Sequence, residues 1–295
     1  MPRTGIRGLS VHYQQAGSGP DVVLIHGLGA NLAFWYLSVV PLLACDHRVT
    51  VYDLRGHGLS APARTGYTTS ELAADLEALL DRLGIGQAHL VGHSYGGAVA
   101  MHLAATKSSR VATVIAADAY LPCFQKNPGP WATLRAHAAA RRLRRAGISL
   151  PAGLPRVAYG LVSDLAREAT GEALPTAWKW ADQARAGERW LELRKKSTIA
   201  QDACQPALTP AALADLLVPV LAVYGQHSTC TATLRGIRKT VPRVQVVTVP
   251  RGGHLHPVLH AEAFVPIVTT FLAEAGQPTG PPSSGASLTP AGDGR

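Results

Sequence analysis

Residues 90–97 read LVGHSYGG and hold Ser94 between Gly92 and Gly96. A serine hydroxyl becomes a nucleophile when a sharp strand-to-helix turn lifts it clear of a sheet. Such a turn tolerates only small neighbours, and the helix that follows aims its N-terminus at the reacting atoms. Here the apolar run AHLVG precedes the motif and AVAMHLAA follows it, as that turn requires. Nucleophilic attack on a carbonyl needs two backbone N–H donors for the developing oxyanion. Tyr95, directly after the serine, supplies one. The glycine-rich loop HGLGAN at 26–31 supplies the other, from Leu28. A base is also needed. The stretch VTVPRGGHLHP at 247–257 offers His254 and His256, and the Gly252–Gly253 pair favours His254. His26 is expected to brace its loop, and His57 and His93 to pack or bond loops.

The elements that must position these groups are legible as short apolar runs. VVLIH (22–26), RVTVYD (48–53), AHLVG (88–92), VATVIAAD (111–118), PVLAVYG (219–225) and VQVVTVP (244–250) read as strands covered on both faces. LSVHYQQAG (9–17) alternates like an edge strand. Between the strands lie helical patterns, clearest in TTSELAADLEALLDRLG (68–84), which opens on hydroxyl caps and stops at Gly84. Strands alternating with helices define an α/β fold, a mostly parallel, doubly wound sheet. After Asp118 about a hundred residues hold no strand-like run. WATLRAHAAARRLRRAG and TAWKWADQARAGERWLELRKK are helical, so a helical cap is inserted between core strands. The expected organisation is core over 1–120, cap over 121–214, core again over 215–275, and a disordered Pro/Gly/Ser-rich tail over 276–295.

Composition narrows the class. The 295 residues are 47% hydrophobic and 16% charged, with a net charge of +9. Between Pro122 and Pro210 there are 14 Lys or Arg against 7 Asp or Glu, so the cap holds most of the excess. These cations sit in helical patterns without a recognition motif, which argues for a solvated face and against nucleic-acid binding. No apolar run is long enough for a membrane span, and the N-terminus has no apolar signal segment, so a cytoplasmic protein is expected. Cys45, Cys123, Cys204 and Cys230 fit neither zinc spacing nor a disulfide framework and read as reduced thiols.

HGLGAN, YDLRGHGLS, GHSYGG and GGHLHP stand in the order and at the positions of the α/β-hydrolase superfamily, which the chain resembles over about 9–118 and 215–275. The resemblance implies a Ser–acid–His triad, with the acid usually on the loop after the strand PVLAVYG. That loop reads QHSTCT and has no carboxylate. In some members the acid follows the strand after the nucleophile helix, and the matching residue is Asp118. Asp53 is expected to tie its own loop. Asp215 precedes its strand, and Asp202 lies in the cap. His227 and Ser228 then become peripheral. The implied enzyme is a serine hydrolase of an ester, lactone or thioester, with no cofactor or metal. A lyase or acyltransferase could use the same residues, and a non-catalytic binding module is a weaker third reading. The cap arginines Arg135, Arg141, Arg142, Arg144 and Arg145, near Trp131, Leu134 and Leu143, read first as a solvated helix face. A sharper reading makes them a rim for an anionic acyl substrate or an acidic carrier protein. Of the cap tryptophans, Trp131, Trp178, Trp180 and Trp190, some should face the pocket.

Overall fold

A computed structural model describes residues 1–125, 130–145 and 182–275. Trp178, Trp180 and the tail from 276 lie outside the described residues, as do the side chains of Trp131, Leu134 and Arg135. In chain order the elements are β1 (Arg3–Ile6), β2 (Leu9–Ala16), β3 (Asp21–Ile25), α1 (Ala33–Tyr36), α2 (Val40–Leu43) and β4 (Arg48–Tyr52). Then come α3 (Thr69–Arg82), β5 (Ala88–His93), α4 (Tyr95–Thr106) and β6 (Val111–Ala117). The inserted region contributes α5 (Pro130–Arg145), α6 (Asp182–Lys196), α7 (Ile199–Asp202) and α8 (Pro210–Ala214). The chain returns through β7 (Val220–Gly225), α9 (Thr231–Thr240), β8 (Val244–Val249), α10 (His256–Leu259) and α11 (Ala261–Ala275).

The strands form one eight-stranded sheet in the order β1-β2-β4-β3-β5-β6-β7-β8. From β4 to β8 every pairing is parallel, while β1 and β2 are antiparallel. β3 shows why a continuous apolar run suits a central strand. Val23 and Ile25 join the core beneath α3 and α4, whereas Val22 and Leu24 join the one beneath α1, α2 and α11. Both faces are covered, so alternation has no value there. Two expectations need correction. β2 is not the outermost strand, because β1 pairs with its first half, Leu9–His12. β8 is the opposite edge and is not covered on both faces: its Gln245 and Thr248 are exposed and Val246 is 38% exposed. Its neighbour β7 takes the inner side only.

α3 starts where a cap residue predicts, with the Thr68 hydroxyl accepting the Glu71 N–H at 3.3 Å. Its buried side, Leu72, Leu76 and Leu79, packs on the sheet. A third apolar cluster joins the cap to the core. Leu143 of α5 and Trp190 and Leu193 of α6 pack with Tyr67 and Leu255. Among the described residues, no helix is long and apolar enough to cross a membrane.

Asp53, after β4, ties together more than its own loop. Its Oδ1 accepts the Leu32 N–H at 2.7 Å, and its Oδ2 accepts the Leu59 N–H at 2.8 Å and contacts His12 Nδ1 at 2.7 Å. It thereby joins β2, the segment leading into α1 and the loop that follows β4. The carboxylate is 1% exposed. Replacing it by Ala leaves buried donors unpaired, and urea denaturation should show a loss of about 3 kcal/mol. An unchanged denaturation midpoint would contradict this role.

Candidate active site

The turn between β5 and α4 holds Ser94 at φ 54° and ψ −121°, a left-handed conformation that costs a non-glycine residue about 1–3 kcal/mol. Its neighbours explain why the turn can exist. A side chain at position 92 would run into the Gly96 carbonyl, and one at position 96 would run into the carbonyls of Ile25 and His26. Only glycine lets α4 start this close to the ends of β3 and β5. As the first residue of α4, Tyr95 presents an N–H that the helix's own ladder does not use. The loop after β3 approaches from the other side. A Cβ at Gly27 would stand 3.0 Å from Ser94 Cβ, and Gly29 takes φ 77° beneath the Trp190 ring. Leu28 between them lines the same cavity as Ser94. His26 braces this loop: its Nδ1 donates to the Gly27 carbonyl at 2.8 Å, and its Nε2 accepts the Leu54 N–H at 3.1 Å.

His254 lies on the loop between β8 and α10, and that loop crosses directly over the end of β7. A side chain at position 225 would meet the carbonyls of Gly252 and Gly253. The His227 N–H donates to the Gly252 carbonyl at 2.8 Å, and the Gln226 N–H to the Val249 carbonyl at 3.0 Å. From the opposite side, His93 Nε2 donates to the His254 carbonyl at 2.8 Å, linking the serine turn to the histidine loop. His93 also stacks on Phe34 with ring centroids 4.5 Å apart. Burial and the nearby His254 hold His93 well below the usual histidine range, so it stays neutral. His256 is wholly buried behind the loop, away from the cavity, and burial drops it to about 4.

Asp118 follows β6, the strand between β5 and β7, at φ 46°. Its N–H donates to the Val223 carbonyl at 2.8 Å, holding this strand end against β7. The carboxylate is fully buried. Oδ1 lies 3.0 Å from His254 Nδ1 and accepts the Ser228 hydroxyl at 2.5 Å, and Oδ2 accepts the Gly225 N–H at 3.0 Å. Burial pushes its pKa up. The hydrogen bond and charge of His254, with His256 and Ser228, outweigh burial and keep it below the ordinary carboxylate value. His254 shows the converse balance. Burial works against the imidazolium, but the Cys230 sulfur and the Asp118 carboxylate raise it well above the usual value. Burial raises Cys230 itself, so at neutral pH it is a thiol and Asp118 supplies the charge.

Ser228 is therefore not peripheral, which corrects the expectation from sequence. It occupies the acid-free loop after β7 and spends its hydroxyl on the carboxylate one strand away. Its Oγ also accepts the Cys230 N–H at 2.9 Å. His227 is exposed, as expected of a peripheral loop residue. Asp202 accepts from the Tyr67 N–H at 2.9 Å and from the Thr198 hydroxyl at 2.6 Å, and Asp215 is exposed before β7. Neither belongs to the cavity. The cavity, about 1490 Å³, has Ser94, His254 and Leu28 on its floor and Trp190, Leu193 and Lys195 of α6 on its wall.

A glycine-flanked serine turn and a carboxylate-bonded histidine, set over one end of this sheet beneath a helical cap, define an enzyme of the α/β-hydrolase class. A family model described as alpha/beta hydrolase fold matches residues 20–261, and the chain belongs to that family. It is 31% identical over 286 residues to a protein of Variovorax paradoxus (strain S110) that bears the name of a carbamate hydrolase, covering 92% of this chain and 98% of the relative. It is 29% identical over 279 residues to the pimeloyl-[acyl-carrier protein] methyl ester esterase of Aeromonas hydrophila, covering 90% and 100%. Among solved structures, a thermophilic esterase from Thermogutta terrifontis superposes with a TM-score of 0.68 at 22% identity, covering 94% of this chain and 100% of that one. That likeness concerns the fold.

The raised pKa of His254 has a kinetic consequence. An imidazole accepts a proton only when neutral, so kcat/KM should rise with pH through an inflection above the ordinary histidine value of about 6.5. In Asp118→Asn the charge that favours the imidazolium is gone. Its inflection should move to lower pH while turnover falls roughly 10²–10⁴-fold. A pH profile that keeps its inflection in Asp118→Asn would show that another group sets it.

Proposed function

We propose that this protein is a serine hydrolase that cleaves an ester, lactone or thioester through an acyl-enzyme, with Ser94, His254 and Asp118 as its triad. The reading rests on one observation above the others: the 3.0 Å contact between a buried carboxylate and the Nδ1 of a histidine that shares a cavity with a strained serine. With Asp118 on Nδ1, the lone pair of His254 lies on Nε2, the tautomer a general base needs. His254 takes the Ser94 proton as Oγ attacks the carbonyl carbon, and the Leu28 and Tyr95 N–H groups receive the oxyanion. The imidazolium then protonates the leaving group. A water, deprotonated by the same imidazole, releases the acid and restores Ser94.

The direct test is labelling by a fluorophosphonate probe. The wild-type protein should label once, and Ser94→Ala should fold, fail to label and lose hydrolysis of simple esters. Stoichiometric labelling of Ser94→Ala would place the nucleophile elsewhere.

We further propose that the substrate is anionic or is presented by an acidic carrier protein. Arg141, Arg142, Arg144 and Arg145 are all exposed at the C-terminal end of α5, while Leu143 between them is buried against the α6 cluster that walls the cavity. The cavity lining itself holds Arg64, Arg189, Lys195 and Lys196 against Glu188 and Glu192. The relative that acts on an acyl-carrier-protein ester agrees with this charge. Steering by exposed charge acts on association and is screened over about 10 Å at 0.1 M salt. Replacing the four α5 arginines by Gln should flatten the salt dependence of kcat/KM for an anionic acyl substrate and leave a neutral analogue unaffected. Equal responses for both substrates would reduce the arginines to solvation.

A further inference from the structure

Cys230 has no part in the acyl-transfer steps, yet it is 3% exposed and its Sγ lies 3.8 Å from His254 Nδ1. The same nitrogen is 3.0 Å from Asp118 Oδ1. One thiol, one imidazole nitrogen and one carboxylate oxygen thus fall within 4.8 Å of one another, each offering a ligand atom to a common point. Tetrahedral zinc bonds of about 2.0–2.3 Å set neighbouring ligand atoms roughly 3.3–3.6 Å apart. The sulfur–nitrogen distance of 3.8 Å needs to close by a few tenths of an ångström and the oxygen–nitrogen distance of 3.0 Å to open by as much, while the sulfur–oxygen pair, within 4.8 Å, must close by up to about 1.3 Å, which a turn of the Cys230 side chain toward Asp118 has to supply. Three such ligands leave a fourth position for water. Thiolate, imidazole and carboxylate together suit a borderline cation such as Zn²⁺, whereas Mg²⁺ and Ca²⁺ prefer oxygen ligands.

We propose that Asp118, His254 and Cys230 form an inhibitory site for a thiophilic divalent cation, with Zn²⁺ as the fitting ion. The regulatory part of this rests on the triad reading above; the binding part does not. Coordination follows a defined proton balance. Cys230 gives its proton to solvent and binds as thiolate. His254 binds as the neutral imidazole: the imidazolium gives its Nδ1 proton to solvent, and the ring proton that remains sits on Nε2, because the metal takes the Nδ1 lone pair. That tautomer is the wrong one for catalysis: Nε2 now carries a proton and cannot accept another from Ser94. Asp118 is drawn onto the ion at the same time. The cation therefore switches the base off without touching the serine. Its ligands lie behind the imidazole, so the onset should be slow.

The ring of supporting groups is consistent with a site that can form. The Ser228 hydroxyl already holds Asp118 Oδ1, and the Cys230 N–H holds Ser228, so the carboxylate and the backbone at Cys230 are tied to each other while the thiol can still turn. Pre-positioned ligands of this kind lower the ordering cost of binding a metal.

Two readouts separate the parts. The first is Co²⁺ substitution in a Cys45→Ser/Cys204→Ser background, which removes the two exposed thiols. A thiolate-to-cobalt charge-transfer band should appear and be lost on Cys230→Ala. No band, or a band that survives Cys230→Ala, overturns the site. The second is the rate of fluorophosphonate labelling with and without Zn²⁺. Zinc should slow labelling of the parent protein progressively, EDTA should restore it, and Cys230→Ala, compared with its own zinc-free rate, should need at least about tenfold more zinc for the same fractional slowing. Equal zinc sensitivity in Cys230→Ala, or a zinc-loaded protein that labels at full rate, overturns the inhibitory role. A protein that never labels, with or without zinc, refutes the triad reading instead, and the cobalt band still decides the metal site.

Discussion

A carboxylate with no solvent exposure must be neutralised or surrounded by donors, and Asp118 is surrounded. His254, the Ser228 hydroxyl and the Gly225 N–H converge on it from two different loops, one after β7 and one after β8. Much of the architecture around the cavity follows from satisfying that one charge. β6 must end level with β7, which the Asp118 N–H bond to Val223 achieves. The histidine loop must lie flat across the end of β7, which Gly225 permits because it has no side chain to meet the Gly252 and Gly253 carbonyls. If any of these is displaced, a buried anion loses a partner, and the imidazole loses the charge that sets its pKa and its tautomer.

Two strained turns of the backbone meet at the same place. Ser94 and Asp118 are both non-glycine residues with positive φ, and they stand at the ends of adjacent strands β5 and β6. Each is held by bonds that cross between strands: the Ser94 N–H donates to the Ala117 carbonyl at 3.1 Å, and the Tyr120 N–H donates to the Ser94 carbonyl at 3.0 Å. The serine turn and the acid turn therefore support one another. Covering both faces of the central strands provides the rigidity that keeps two such turns in register.

Much of this was readable in the sequence, and the boundary is physical. The central strands announce themselves because both of their faces are buried, and GHSYGG because its glycines answer a steric demand. β1 leaves little trace in the sequence: it is four residues long, only Ile6 is buried, and RTGI has no apolar run. β8 read as a covered strand because its valines outnumber its polar residues, although an edge position leaves part of it in water. Asp118 could be found only through the absence of a carboxylate at 226–231. The part played by Ser228 could not be found at all. A hydroxyl in a loop has many uses, and only the folded register brings this one to a carboxylate 110 residues away. The reach of Asp53 is hidden in the sequence for the same reason, since its partners at His12 and Leu32 come from other elements.

The central claim is that His254 is held and charged by Asp118. Proton NMR of protein labelled with ¹⁵N-histidine observes that bond directly, because a proton shared with a buried carboxylate resonates far downfield. The resonance assigned to His254 Nδ1–H should be present in the wild-type protein and should move sharply upfield in Asp118→Asn. A His254 resonance unchanged in Asp118→Asn, and lost instead when a different carboxylate is removed, would contradict the account.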